Sequence, residues 1–311
     1  MKYELLITGP MYPPTLAELE QTYNAHRLWT APDKEGLIAS LADKITAVAS
    51  SNSGGIDGPT IGKLPKLKTI AHFGVGYDTV DVTAAKSRKV AVTNTPDVLT
   101  DEVADLALGL LLATIRRIPQ GDRYVREGKW LKGNMALTES LQGKTAGIIG
   151  MGRIGQAIAK RVEAFGVKLA YQGPNRKANL TWPYFADPVA LAKESDIVIA
   201  ACPGGEATRG LVSRAVIEAI GPKGTFVNIS RGSVVDEPAL IEALKSGKLG
   251  SAGLDVFADE PRVPEGLIAL DNVVLQPHVA SATHQTRKAM GQLVIDNLAA
   301  HFAGKPLLTP V

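Results

Sequence analysis

A single cysteine, Cys202, occurs in 311 residues, which excludes an intrachain disulfide and a cysteine metal cluster. No spacing of His, Asp and Glu resembles a metal site, so no metal is expected. Long apolar runs are also missing. The longest, Leu106 to Ile115, contains Gly109 and Thr114 and is too short to span a bilayer. Met1-Lys2-Tyr3-Glu4 lacks a signal-peptide pattern, and the expectation is a cytoplasmic protein. Charge of one sign is not concentrated anywhere. The 34 basic and 31 acidic residues are spread along the chain, so neither nucleic-acid nor membrane binding is expected. Hydrophobic residues, at 45%, are ample for two cores, and the length points to two domains.

The most informative segment is Thr145-Ala146-Gly147-Ile148-Ile149-Gly150-Met151-Gly152-Arg153-Ile154-Gly155. An apolar run ends in Gly-x-Gly-x-x-Gly, and a helical pattern follows from Gln156 to Phe165. Gly150 permits the tight turn, Gly152 lets the backbone approach a pyrophosphate, and Gly155 allows close helix–strand packing. The helix N-terminus then offers N–H groups and partial positive charge to the anion. The second strand, Val167 to Tyr171, ends at Gln172. An NAD-selective site puts Asp or Glu there, about 20 residues past the first glycine, to hold the ribose 2′-OH. The turn continues Gly173-Pro174-Asn175-Arg176-Lys177. Arg176 can grip a 2′-phosphate in a bidentate way and Lys177 adds a point charge, which favours NADPH over NADH. The alternative is a solvated basic turn.

Strand and helix patterns alternate through the first hundred residues. Leu5 to Ile7, Ile45 to Ala49, Lys68 to His72 and Val90 to Val92 read as strands; Thr15 to Tyr23 and Leu37 to Asp43 read as helices. Such alternation implies an α/β fold with a parallel sheet covered on both faces. A long helix follows Thr100, a good N-cap, with Asp101 and Glu102 in its first turn. It runs to Ile115, and Pro119 is read as its stop. A fresh series of strands begins at Thr145 and continues with Ile197–Ala201, Thr225–Ile229, Gly253–Phe257 and Val273–Gln276, with a helix over Pro238–Lys245 and another over Thr283–Phe302. The division expected is a discontinuous substrate-binding domain, 1–99 with 285–311, and a dinucleotide-binding domain, 100–284. Substrate would meet cofactor in a cleft between them.

Three segments lie at strand ends of the second domain: Asn228 to Gly232, Asp255 to Pro261 and Gln276 to Ser281. Ligands of open α/β sheets bind beyond the carboxyl ends of the strands, so all three face one crevice. Hydride transfer to a ketone needs a positioned substrate, a polarised carbonyl and a proton for the new alkoxide. Arg231 can hold an α-keto carboxylate and polarise its carbonyl. His278 is the natural acid/base. Glu260 can pair with it, orient its ring and favour the imidazolium, so reduction is expected to weaken at high pH. Taken singly, each has a bland alternative as a surface salt bridge or a satisfied histidine.

At these residues the chain resembles the D-isomer-specific 2-hydroxyacid dehydrogenases, and within them the glyoxylate/hydroxypyruvate reductases. The resemblance also covers Gly74-Val75-Gly76-Tyr77-Asp78, Thr95 to Thr100, Gly147 to Gly155, and Pro277-His278 with Ser281-Ala282-Thr283. It implies two doubly wound parallel-sheet domains, Rossmann-like and flavodoxin-like. It implies that the Val75 and Gly76 N–H groups bind the substrate carboxylate with Arg231, and that Asn52 and Ser53 line the substrate site. It further implies that Arg153 and Ile154 contact the pyrophosphate, and that Cys202, Pro203 and Thr208 border the adenosine. Asp255 would hold the nicotinamide carboxamide, and Thr100, Ile229 and Ser230 would lie along the cofactor. Asn175-Arg176 matches the Asn-Arg pair of NADPH-preferring relatives, with NADH the weaker cofactor. The family pattern implies a homodimer, with Trp130 reaching a partner's site; a buried core Trp is the alternative.

Two positions depart from the family pattern: Ala280 stands beside the nicotinamide where Gly is common, and Gly204-Gly205 replaces a bulkier pair. Among other histidines, His72 could border substrate but is expected to be structural. His26 is read as a surface or strand-start residue, His284 as a cap or domain contact, and His301 as part of the final polar turn. The activity expected is reduction of small 2-oxo acids such as glyoxylate and hydroxypyruvate. A broad-range reductase of larger 2-keto acids is one alternative. A dinucleotide-sensing corepressor-like binding protein is another, disfavoured because the chain starts close to its first strand and ends soon after its last helix.

Overall fold

The computed structural model describes residues 2–311. Contacts divide the chain into two compact units, one running through Leu99 and rejoined by Ser281–Val311, the other Thr100–Ala280.

The first unit holds a five-stranded sheet of β1 (Glu4–Ile7), β2 (Asn24–Arg27), β3 (Ala47–Ser51), β4 (Thr69–Phe73) and β5 (Ala91–Thr93). All registered pairs are parallel, in the order β2-β1-β3-β4-β5. Every residue of β3 and β4 is buried, as expected for parallel strands covered on both faces. Helices α1 (Pro13–Thr22), α2 (Lys34–Leu41), α3 (Gly58–Gly62) and α4 (Val82–Ser87) follow successive strands or loops. Asp33, Asp57 and Asp81 cap three of them through backbone N–H groups of Gly36, Thr60 and Ala84. The C-terminal helix, His284–Phe302, is capped by Thr283, not by His284. Strand order reverses between β1 and β3, which places a crevice beyond their carboxyl ends. There Gly9 and Gly54 touch so closely that a Cβ on Gly54 would stand 2.2 Å from the Gly9 Cα.

The second unit begins with α5 (Thr100–Ile115) and α6 (Ile118–Arg126). Thr100 is the first helical residue instead of the cap before it. Pro119 does not merely end α5; it sits in the first turn of α6, where proline's missing N–H has no helical partner to lose. Arg117, at φ +50, makes the corner between the two helices. The seven-stranded sheet comprises β6 (Thr145–Ile149), β7 (Lys168–Gln172), β8 (Tyr184–Phe185), β9 (Ile197–Ala200), β10 (Thr225–Asn228), β11 (Ser251–Leu254) and β12 (Val273–Leu275). Its order is β12-β11-β10-β9-β6-β7-β8, again all parallel. Interleaved are α7 (Arg153–Glu163), α8 (Pro188–Lys193), α9 (Arg214–Ile220), α10 (Glu237–Ser246) and α11 (Glu265–Ile268). The core of this unit gathers Phe226, Leu240, Val198, Ile217 and Leu254 from sheet and helices alike. The switch of strand order falls between β6 and β9, so the turns after these strands, at Gly150 and Cys202, edge the crevice. Both sheets are parallel and covered by helices, the α/β class expected. Among the described residues no helix is long and apolar enough to cross a membrane.

Candidate active site

Geometry around the glycine turn fits a dinucleotide. Gly150 has φ +97, and a Cβ there would lie 2.5 Å from the Cys202 backbone N. Gly155 faces the same turn; its Cβ would fall 2.1 Å from the Gly150 carbonyl oxygen. Both glycines are therefore needed to close strand on helix. Gly152 differs: it is exposed, its φ is −78, and a Cβ built on it meets no atom within 4 Å. The space over Gly152 is open, which is the cradle that a pyrophosphate requires. Helix α7 has no side-chain cap and no acidic residue in its first turn, so no carboxylate of that turn competes with an anion for its positive end. Arg153 is exposed there and Ile154 half-buried.

Across the crevice Cys202 is buried, and burial pushes its thiol up to about 11, so it is an inert apolar wall. Pro203 is exposed, and the Thr208 hydroxyl donates to its carbonyl at 2.7 Å, closing that loop. Gly205, at φ +120, explains one departure from the family pattern: the loop uses a conformation that side chains resist. Thr100 is half-buried, and Ile229, Ser230 and Ala280 are buried.

Gln172, in the place of the NAD-selective acid, is buried and donates its amide to the Ala186 carbonyl at 3.2 Å. Asn175, Arg176 and Lys177 are all exposed in the following turn. Two tyrosines that sequence reasoning passed over pin that turn. The Tyr171 hydroxyl accepts from the Lys177 N–H at 2.8 Å, and the Tyr184 hydroxyl donates to the Gly173 carbonyl at 3.0 Å. Tyr171, as the penultimate residue of β7, was the available signal.

The three strand-end segments of the second unit converge. Nδ1 of His278 lies 2.7 Å from Oε2 of Glu260, whose Oε1 accepts from the Phe257 N–H at 3.0 Å. Burial would raise the Glu260 carboxyl, but the His278 hydrogen bond and the charges of His278 and Arg231 hold it below the usual range. A carboxylate only accepts, so Nδ1 carries the proton in this pair and Nε2 is left for exchange. Gly232 brings Arg231 to the same place: a Cβ on Gly232 would overlap Phe257, 1.9 Å from its carbonyl carbon. Asn228 braces the Arg231 loop, its amide donating to the Arg231 carbonyl and its oxygen accepting from the Ser230 N–H and hydroxyl.

His278 has φ +53, rare outside glycine. Asp255 sustains it. The Asp255 carbonyl accepts from the His278 N–H at 2.8 Å, and its carboxylate oxygens accept from Val279 and Ala280 N–H groups at 2.8 and 3.0 Å. Asp255 is fully buried, and burial pushes its carboxyl up against the pull of those two donors. Its visible work is anchoring the His278 loop.

In the first unit, Val75 and Gly76 are half-buried on the loop after β4, and Ser53 is exposed on the loop after β3. The Val75 carbonyl accepts from the Asn94 amide at 2.9 Å, and the Gly74 carbonyl from the Thr95 N–H at 2.9 Å. Trp130 is 65% exposed beside Leu131 at 93%, which rules out the buried-core alternative. His26 sits in β2, paired with Glu4; His301 bridges Thr69 and Thr46, and burial lowers its pKa. Among the described residues no group of three His, Cys, Asp or Glu could hold a metal ion.

Comparison with known proteins sets this geometry in a family. Residues 108–280 match the model of the D-isomer specific 2-hydroxyacid dehydrogenase NAD binding domain. The chain is 50% identical to hydroxyphenylpyruvate reductase of Plectranthus scutellarioides over 307 residues, 99% of this chain and 98% of the relative. It is equally similar, over the same shares, to glyoxylate/hydroxypyruvate reductase A of Arabidopsis thaliana. Among solved structures, the NADPH-dependent glyoxylate/hydroxypyruvate reductase of Sinorhizobium meliloti, in complex with NADP and malonate, superposes with a TM-score of 0.92 at 43% identity, covering 100% of this chain and 97% of that one. With half of its residues shared over nearly its whole length, the chain belongs to the D-isomer-specific 2-hydroxyacid dehydrogenase family.

Proposed function

We propose that this protein is an NADPH-dependent reductase of small 2-oxo acids, glyoxylate and hydroxypyruvate first among them. The observation that carries the reading is the His278–Glu260 pair at 2.7 Å, with the Arg231 charge acting on the same carboxylate. Arg231 takes the substrate carboxylate and polarises the adjacent carbonyl. Glu260 holds the ring by Nδ1, and Nε2 delivers the proton to the developing alkoxide. NADPH, when bound, supplies the hydride. Gly150, Gly152 and Gly155 with the end of α7 take the pyrophosphate, Arg153 and Ile154 beside it. Asn175, Arg176 and Lys177 take the 2′-phosphate. We assign Cys202, Pro203 and Thr208 to the adenosine side, Thr100, Ile229, Ser230, Asp255 and Ala280 to the remaining cofactor contacts, and Val75, Gly76 and Ser53 to substrate. In this reading the first unit is the substrate-binding domain and the second the dinucleotide-binding domain.

Supporting the assignment are the family's NAD binding model over 108–280 and relatives named as glyoxylate/hydroxypyruvate reductases. The relative named hydroxyphenylpyruvate reductase is as similar as any of these, which keeps arylpyruvate reduction as a second reading. Trp130, Leu131 and Leu137 are exposed apolar residues that we assign to a homodimer contact, tested by light scattering on the purified chain. We place the protein in the cytoplasm, tested by fractionation of the source cells.

The deciding experiment is steady-state reduction of glyoxylate, hydroxypyruvate, pyruvate and phenylpyruvate, with NADPH and NADH side by side. Turnover of the two small acids with NADPH is expected. Preference for phenylpyruvate would keep the chemistry and move the substrate to the second reading. Preference for NADH would overturn the role given to Arg176. Cofactor binding without turnover would make the chain a sensing module.

A further inference from the structure

His72, the fourth residue of β4, is completely buried, yet both ring nitrogens have polar partners. Nδ1 lies 2.9 Å from the Ser50 hydroxyl, on the residue directly opposite in β3. Nε2 lies 3.0 Å from Oδ1 of Asn52 and 3.0 Å from the Gly76 carbonyl oxygen. A carbonyl oxygen only accepts, so Nε2 carries a proton; in the neutral ring Nδ1 then accepts from Ser50. One imidazole thereby ties the loop after β3, which holds Asn52 and Ser53, to the loop after β4, which holds Gly74 to Gly76. Gly74 is part of the arrangement, since a Cβ there would stand 2.9 Å from Nε2 and 3.2 Å from the Asn52 Oδ1.

Peptide planarity turns this clasp into a statement about direction. In a trans peptide the carbonyl and the next residue's N–H point opposite ways. The Gly74, Val75 and Gly76 carbonyls are held by Thr95, Asn94 and His72 in turn. Each of the Val75, Gly76 and Tyr77 N–H groups therefore points away from the donor that holds the carbonyl before it.

We propose that His72 is a positioning residue for substrate: it sets the separation of the Asn52 and Gly76 loops and the orientation of the carboxylate-binding backbone. This rests on the 2-oxo acid reading above and goes beyond it. His72 touches neither substrate nor cofactor in this role. Its loss weakens substrate binding and leaves the chemical step and the cofactor site alone.

The test uses two His72 variants of the full chain, loaded with NADPH. In His72→Asn the amide overlaps Nδ1, keeps Ser50 and no longer reaches Gly76. In His72→Gln the amide overlaps Nε2 and restores donors to Gly76 and Asn52. Binding of oxalate, a planar mimic of glyoxylate that cannot be reduced, is read by calorimetry, and glyoxylate reduction by steady-state kinetics. His72→Asn should weaken oxalate binding and raise KM for glyoxylate by about tenfold, the scale of one lost orienting hydrogen bond. Its kcat and NADPH Kd should stay within about twofold of wild type, and His72→Gln should recover most of the loss. Gly74→Ala, which presses on Nε2 from the loop side, should reproduce the His72→Asn pattern and serves if that variant does not fold. Unchanged oxalate affinity in His72→Asn or Gly74→Ala overturns the proposal, as does equal weakening by Asn and Gln, which marks a core filler. A wild type that binds oxalate but reduces no 2-oxo acid refutes the reaction and leaves the oxalate series to decide His72. A wild type that does not bind oxalate overturns both.

Discussion

Gly152 and Gly155 belong to the same motif, yet replacing each by alanine should have opposite signatures. In Gly155→Ala the new methyl would lie 2.1 Å from the Gly150 carbonyl oxygen, which is backbone. Helix α7 must retreat from the turn by roughly 1 Å, an overpacking cost of about 1–3 kcal/mol. In a unit of this size each kcal/mol lowers Tm by about 2–4 °C. In Gly152→Ala the methyl meets no atom within 4 Å, and the φ of −78 suits any residue. Alanine is a poorer N-cap than glycine by about 0.5–1 kcal/mol. It also restricts the unfolded chain, which returns about 0.4–1 kcal/mol. The two effects nearly cancel, so Tm should barely move. The methyl nevertheless fills the space assigned to the pyrophosphate, and NADPH Kd should rise at least roughly tenfold, or 1.4 kcal/mol. Thermal denaturation and fluorescence titration with NADPH read both quantities. A Gly152→Ala chain that binds NADPH like wild type would refute the placement of the pyrophosphate. A Gly155→Ala chain with unchanged Tm would refute the packing argument.

Further measurements address other parts of the site. Arg176→Ala should raise KM for NADPH by about tenfold or more and leave KM for NADH within about twofold, because only the 2′-phosphate loses its bidentate partner. Tyr184→Phe, which removes the donor to the Gly173 carbonyl, should lower the NADPH-to-NADH preference by about threefold with kcat retained; an unchanged ratio would dismiss the tyrosine's role in that turn. His278→Asn should lower kcat by about 10²–10⁴, with NADPH still bound, as judged by titration. The folded Glu260 carboxyl lies below its ordinary value of 4.5, so it adds stability above that value and loses it as pH falls through the depressed one. The Tm difference between wild type and Glu260→Gln should therefore be full at pH 7 and shrink in acid below about pH 4.5; a constant difference would contradict it.

Strand and turn signals were legible where burial on both faces dictates composition. β3, β4, β6 and β9 read as apolar runs because parallel strands leave no solvent face. The polar edge strand β2, Asn-Ala-His-Arg, carries no such pattern and exists only by pairing with β1. The strand read through Phe257 stops at Leu254. Asp255 and Glu260 take over the backbone N–H groups of Val279, Ala280 and Phe257, so side chains compete with the ladder. Spacing pointed to the glycine turn and to Arg231, Glu260 and His278, whose segments the structure brings together. Spacing cannot reveal who holds them. The bracing by Asn228, the clasp of His72 and the tyrosine pins depend on register between segments distant in sequence. Trp130 shows the same limit: a lone large aromatic reads equally as core or surface until its exposure is seen.

The turn between Gly173 and Lys177 is closed at both ends by tyrosine hydroxyls that contact only its backbone. Neither hydroxyl reads the side chains at Asn175 or Arg176. The turn is thus a cassette whose contents can be exchanged while its frame persists. If Asn175, Arg176 and Lys177 hold the 2′-phosphate as proposed, cofactor choice can drift by substitution at these exposed positions, with the His278–Glu260 pair untouched. A laboratory that wanted an NADH-driven version would redesign those positions and keep both tyrosines.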